Sequence, residues 1–254
     1  FNVYEDKKEQ PIRLFRREDV PVSLGIIIDN SGSMRDKRQR VEAASIQMVK
    51  ASNPEDEVFV VNFNDESYLD QPLTNSMAKL EEGVARIDSR GGTAMRDAIS
   101  MSIDYVRQEG KRDKKVLVVI TDGNDTVSTG VTLEKLVEKC HKSDVLIYGI
   151  GILSQEESRD RKKAQRAIDA LTKASGGASY YPGDVSAVES IAKQVAHDIR
   201  NQYVIAYSPL NQNLDGTFRS VRVTASGGRY TVRTRTGYYA TPELVWDRPV
   251  AKGR

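Results

Sequence analysis

The sequence predicts an α/β fold: a doubly wound, mostly parallel sheet flanked by helices, with a small antiparallel β annex made by the N- and C-terminal segments. Three observations carry that prediction. The apolar runs VSLGIII (22–28), EVFVVNF (57–63), KVLVVI (115–120) and VLIYGI (145–150) are nearly continuous, as in strands covered on both faces. Segments with helical spacing lie between them, which implies βαβ units and parallel pairing. At both ends the pattern changes to alternating segments divided by turn residues.

In chain order, residues 1–4 and 12–15 read as two strands joined by the polar turn 5–10. After the first buried strand, residues 37–50 show helical spacing, with i, i+3, i+4 and i+7 partners among Val41, Ala44, Ile46, Met48 and Val49. The second buried strand, 57–63, is followed by a short edge strand at 66–69 and a helix at 76–87 capped by Ser76. The Gly91-Gly92 break leads into a helix at 94–108, then the strand at 115–120 and a helix at 132–142 with Thr132 as cap. The strand at 145–150 precedes a long charged helix, 156–174, ended by Ser175-Gly176-Gly177. A short strand at 178–181 and a helix at 186–200 complete the α/β unit. Segments 202–207, 220–224 and 230–234, with turns at Asp215-Gly216 and Gly227-Gly228, read as annex strands. The expected domains are therefore an α/β domain over 18–200, an annex from 1–17 and 201–240, and a tail or linker at 241–254.

Composition narrows the function classes. With 254 residues and 39% apolar content the chain can bury a sizeable core. The 38 basic and 36 acidic residues leave a net charge of only +2, which argues against nucleic acid as the partner. Two basic runs, 37–40 and 159–163, sit at the polar starts of helices and read as solvated faces. A single cysteine, Cys140, excludes a disulfide framework or thiolate cluster and reads as a small buried hydrophobe. His141 and His197 are too few for a multi-histidine zinc site. No apolar run approaches the roughly 18 residues of a membrane span, so no transmembrane segment is expected. The chain begins at Phe1 with neither Met nor a signal-like stretch, and reads as a processed or excised piece.

One polar constellation stands out. In a doubly wound sheet, ligands bind beyond the carboxyl ends of the strands where the strand order reverses. Asp29, Ser31 and Ser33 leave the first buried strand, Asp122 leaves the strand at 115–120, and Thr93 lies in a Gly-Gly-Thr loop before a helix. Each has an ordinary alternative. Asp29 alone reads as a cap or a catalytic aspartate, Ser31 and Ser33 as turn residues, Thr93 as an N-cap and Asp122-Gly123 as a turn. Two carboxylates brought together at a partly buried point need a cation, and the joint placement favours one. Two carboxylates and three hydroxyls supply only hard oxygens, which suit Mg²⁺, with Mn²⁺ or Ca²⁺ as substitutes, over zinc or copper. So few charges leave the ion with waters, and one position open to an incoming carboxylate oxygen. Asp97 and Asp125 are weaker candidate oxygens nearby.

Asp-x-Ser-x-Ser after an apolar strand, a distal Thr and then Thr-Asp-Gly after another apolar strand resemble the von Willebrand factor A domain and its metal-ion-dependent adhesion site, over about residues 20–200. The flanks Val3-Tyr4-Glu5-Asp6, Arg17-Glu18-Asp19-Val20-Pro21, Tyr207-Ser208-Pro209 and Thr236-Gly237-Tyr238-Tyr239 resemble bacterial, often acidobacterial, VWFA-related proteins. The resemblance implies that Ser31, Ser33 and, in one state, Thr93 ligate the metal directly, and that Asp29 and Asp122 act mostly through water. It implies a protein partner presenting Asp or Glu, a non-enzymatic adhesion role and an extracytoplasmic place. In adhesive members the helix after the last strand shifts on ligand binding, which here is the 186–200 segment.

Other readings fare less well. A serine hydrolase lacks Gly-x-Ser-x-Gly and a histidine near a strand end. A phosphatase with paired aspartates would want Asp where Ser31 stands, and Ser154 occupies the third glycine position of a dinucleotide fingerprint. A structural or assembly subunit, in which the metal only stabilises, is the closest rival.

Overall fold

The computed structural model describes residues 1–51, 53–85, 89–154, 156–227 and 230–242. Three strands open the chain: β1 (Asn2–Glu5), β2 (Lys8–Gln10) and β3 (Ile12–Glu18). The α/β unit then runs β4 (Val22–Asp29), α1 (Arg38–Lys50), β5 (Glu57–Phe63), β6 (Ser67–Thr74), α2 (Met77–Ala85) and α3 (Met95–Glu109). It continues through β7 (Lys114–Thr121), α4 (Leu133–Lys142), β8 (Val145–Gly151), α5 (Ser158–Ser175), β9 (Ser179–Tyr180) and α6 (Val188–Arg200). β10 (Gln202–Tyr207), β11 (Phe218–Thr224) and β12 (Gly237–Tyr239) follow.

The central sheet has six strands in the order β6-β5-β4-β7-β8-β9. All pairs are parallel except β5 with β6. Continuous apolar runs make this possible, because successive side chains of a strand point to opposite faces and both faces here are covered. On β4, Leu24, Ile26 and Ile28 pack with residues of α1, α2 and α6, while Ile27 faces the layer of α3, α4 and α5. Gly25 is required by that second layer: a Cβ there would lie 2.3 Å from Phe59 Cζ and 2.6 Å from Leu117 Cδ2. The chain leaves β4 toward β5 on one side and enters β7 on the other, so the strand order reverses between β4 and β7. A ligand crevice forms at such a point.

Several expectations are corrected. The edge strand extends to Thr74, past Pro72, because β6 lies at the sheet edge, where a missing N–H is tolerated. The N-terminal hairpin is tighter than expected. Asp6 and Lys7 turn in the left-handed region (φ 46° and 68°) and pair β1 with β2, with Val3 opposite Gln10. Pro11 then separates β3, which pairs with β10 and not with β1. Residues 230–234 form no strand. Arg233 donates to Asp198 Oδ2 (2.7 Å), and Arg235 donates to the carbonyls of His141 (2.6 Å) and Ser143 (3.2 Å). These bonds fasten the segment across the ends of α6 and α4, and the annex strand forms later, at 237–239. Ile87, Gly228 and most of the expected tail, 243–254, lie outside the described residues.

The annex is one sheet, β12-β11-β1-β2, together with the β3–β10 ribbon. Buried Glu5 anchors it by accepting hydrogen bonds from the hydroxyls of Tyr207 (2.8 Å) and Tyr238 (2.7 Å). Only Asn201 separates the end of α6 from the start of β10. Thr132 caps α4 as expected, accepting from the Lys135 N–H at 3.3 Å, and Gly176 ends α5 in the left-handed region (φ 92°). Cys140 is fully buried, and burial raises its thiol pKa to about 12, which fits the expected inert hydrophobe.

Candidate metal centre

The carboxyl end of β4 delivers Asp29, and the residue after β7 is Asp122. Parallel pairing of β4 with β7 sets these ends side by side. Both aspartates are buried, at 1% exposure. Asp29 accepts the Ser31 N–H at 2.8 Å and the Thr121 hydroxyl at 2.5 Å. Ser31 Oγ lies 3.1 Å from Ser33 Oγ, and the Ser33 hydroxyl donates to Asp122 Oδ1 at 2.8 Å. Four of the five residues singled out by sequence are therefore joined in one hydrogen-bonded network, with the Ser31 backbone N–H linking Asp29 to the rest.

Thr93 arrives on a neighbouring loop tied to this one through backbone bonds. Gly32 N–H donates to the Gly91 carbonyl (3.3 Å) and Arg90 N–H to the Asn30 carbonyl (3.1 Å). Asp65 holds the glycine pair by accepting the Gly92 N–H at 2.7 Å. Gly91 has φ +74°, and a Cβ there would lie 2.0 Å from Asp65 Oδ2. Thr93 is buried and is not the cap of α3: Ala94 holds that position, and the helix's Arg96 N–H bonds to Asp125 Oδ2 (2.7 Å). The ordinary reading of Thr93 is thereby removed.

Asp97 and Asp125 are committed elsewhere. Asp97 accepts the N–H groups of Thr129, Gly130 and Val131 at 3.0–3.1 Å. Asp125 pairs with Arg96 (3.0 Å) and Ser128 (2.7 Å). Both build the loop between β7 and α4.

Lys37 is the residue that sequence reasoning missed. It is 7% exposed, its ammonium forms an ion pair with Asp122 Oδ2, and it donates to the Ser33 carbonyl at 3.3 Å. Arg38 also turns inward, donating to Asn30 Oδ1 (2.6 Å) and the Val84 carbonyl (3.2 Å). The expected solvated face holds for Gln39 and Arg40, which are exposed, and fails for Lys37 and Arg38. Helical periodicity could not flag Lys37, because it precedes the first turn of α1; its place four residues after Ser33 is the only signal in the sequence.

The electrostatics follow from burial. Desolvation, then the Ser31 and Thr121 bonds acting against it and the neighbouring Asp122 charge acting with it, raise the Asp29 pKa from 3.8 to about 6. With its value near 6, the Asp29 carboxyl is mostly ionised near neutral pH, beside the Lys37–Asp122 ion pair. The groups able to ligate a metal are carboxylates and hydroxyls, with no thiolate or imidazole in the network, and the Lys37 ammonium is already paired with Asp122. Among the described residues no group of three or more His, Cys, Asp or Glu gathers at any point. The oxygens present fit a hard, largely hydrated divalent ion and do not fit zinc or copper.

Residues 24–124 match the von Willebrand factor type A domain family, spanning β4 to the loop that carries Asp122. Over these residues the chain is similar to a von Willebrand factor type A domain. Solved A-domain structures agree with its architecture. A von Willebrand factor type A protein from Catenulispora acidiphila is 21% identical with a TM-score of 0.60, the match covering 71% of this chain and 42% of that one. The vWF domain of the type V pili tip protein Mfa5 from Porphyromonas gingivalis is 12% identical with a TM-score of 0.57, covering 73% and 98%. The D319A mutant of the PilB minor pilin from Streptococcus sanguinis is 12% identical with a TM-score of 0.59, covering 72% and 62%. At these identities the likeness concerns the fold. No curated protein matches the chain. No helix of the described residues is long and apolar enough to cross a membrane.

Proposed function

We propose that this A domain is a metal-dependent protein-interaction module, which binds an Asp or Glu side chain of a partner through Mg²⁺, or Mn²⁺ or Ca²⁺ in its place. The observation that carries the reading is the convergence of Asp29, Ser31, Ser33 and Asp122 in one hydrogen-bonded network at the point where the strand order reverses. Ser31, Ser33 and Thr93 would hold the ion directly, with Asp29 and Asp122 orienting its waters and supplying negative charge. The ion when bound offers a Lewis-acidic position for a carboxylate oxygen. The pilus-tip and minor-pilin neighbours support a surface-exposed, extracytoplasmic, non-enzymatic role for the same fold.

Calorimetric and thermal-shift titration with Mg²⁺ and Mn²⁺ tests the site. Binding in the micromolar-to-millimolar range is expected, lost in Asp29→Ala and Ser33→Ala; no response to either ion refutes the reading. Partner capture with and without chelator then separates adhesion from a purely stabilising metal. A complex that survives excess chelator unchanged rules out carboxylate capture by the ion.

A further inference from the structure

Lys37 is the feature that the proposed metal site does not use. Its side chain is enclosed, with 9% exposure against 0% for its partner Asp122. Burying an ammonium is costly unless it is paired, and here it is paired with a carboxylate of the cluster itself. The Ser33 carbonyl takes a second proton of the ammonium at 3.3 Å, so Lys37 bridges the β4 loop and the β7 loop. A divalent ion would bridge the same two loops.

We propose, resting on the metal reading above, that Lys37 is a built-in competitor cation: its ammonium neutralises Asp122 and joins the two loops while the metal is absent, and it must leave Asp122 for a divalent ion to load.

Three physical points support this. Two cations cannot share the buried oxygens of one carboxylate in a low-dielectric pocket without strong mutual repulsion. Asp122 accepts the Ser33 hydroxyl on Oδ1 and the Lys37 ammonium on Oδ2, so the waters of an incoming ion that Asp122 would orient meet a carboxylate whose charge is already paired. The ammonium also has another acidic group nearby. Glu156, on the loop between β8 and α5, is half-buried and feels both charges, Asp122 raising its pKa and Lys37 lowering it, beneath a larger rise from burial. Competition of this kind sets the affinity of the site without altering any ligand, and holds the loops assembled when no metal is present.

Linkage makes the effect reciprocal: whatever Lys37 contributes to the metal-free state is withdrawn from metal affinity. The test is isothermal titration of Mg²⁺ into wild type and Lys37→Met, a variant of similar length without charge, with melting curves in chelator. Lys37→Met is expected to bind Mg²⁺ about tenfold more tightly and to melt at lower temperature in chelator, with a larger rise on adding metal. Equal or weaker affinity in Lys37→Met, with wild type binding normally, overturns the competition and leaves the metal site standing. No binding by either protein overturns the metal reading and the competition with it. A second measurement uses wild type alone and does not depend on the variant folding. The Lys37 Nζ ammonium, shielded from water exchange in the ion pair, is expected to give a proton–nitrogen NMR signal in chelator that is lost at saturating Mg²⁺. A signal unchanged in fully loaded protein refutes the displacement.

Discussion

Asp29→Asn isolates the free energy stored at the centre. In the wild-type protein the Asp29 carboxyl is buried, and its pKa is raised from 3.8 to about 6 chiefly by desolvation. Because the folded value lies above the unfolded one, the native state holds the proton more tightly. The stabilising contribution of neutral Asp29 is complete below pH 3.8 and is lost as pH rises through about 6. At about 1.4 kcal/mol for each step of one in pKa, keeping Asp29 ionised at pH 7 costs about 3 kcal/mol, of which about 2 kcal/mol develops between pH 4.5 and 7. Asn at this position keeps an oxygen for the Ser31 N–H and offers its amide to the Thr121 hydroxyl, which retains the Gly123 carbonyl at 3.4 Å as an acceptor. The variant is therefore expected to be more stable than wild type in chelator at pH 7.5, by up to about 3 kcal/mol, while losing its thermal response to Mg²⁺. Urea unfolding of both proteins in chelator at pH 4.5, 6 and 7.5 measures the difference, and comparing the two cancels other titrations such as that of Asp56, whose pKa burial also raises. A wild-type minus variant stability that is flat across that range would refute the account of a charge held at a cost.

Three further outcomes follow from the geometry. Asp122→Ala leaves the Lys37 ammonium buried without its carboxylate and is expected to destabilise the metal-free protein by about 3–5 kcal/mol; adding Lys37→Met should recover most of the loss in the same unfolding assay. Gly25→Ala drives a methyl against Phe59 and Leu117 between β4 and α3, and calorimetry should show a loss of about 1–3 kcal/mol, with Mg²⁺ binding weakened only as far as the end of β4 is displaced. Tyr207→Phe and Tyr238→Phe each remove a donor from the buried Glu5 and are expected to cost about 1.5–3 kcal/mol in denaturant unfolding, equally with and without metal, because the annex lies outside the centre.

The central strands were legible because continuous apolar runs have few alternatives. The bounds of 57–63 and 202–207 agree with the structure residue for residue, and the helices differ by one or two positions. The annex was harder because short alternating segments do not encode their partners. The β1–β2 turn depends on positive φ at Asp6 and Lys7, which neither residue type requires, and the segment at 230–234 is held by arginine bonds to helix ends instead of by strand pairing. The residues at the centre could be read because Asp29, Ser31, Ser33 and Asp122 follow directly from strand ends. Lys37 could not, since its burial depends on Asp122, 85 positions away, reaching back across the crevice.

The single residue between α6 and β10 couples two elements with incommensurate steps. A helix moving by one turn travels about 5.4 Å. Strands advance about 3.4 Å per residue in antiparallel pairing, so β10 would be dragged about one and a half residues along β3. A half-integer slip satisfies no ladder of hydrogen bonds, and a one-residue slip turns every side chain of β10 to the opposite face. An axial shift of α6 therefore cannot be absorbed inside the β3–β10 ribbon. β3 in turn leads through residues 19–21 into β4, the strand that ends in Asp29, so an axial shift of α6 directed along β10 would load the strand beneath the centre.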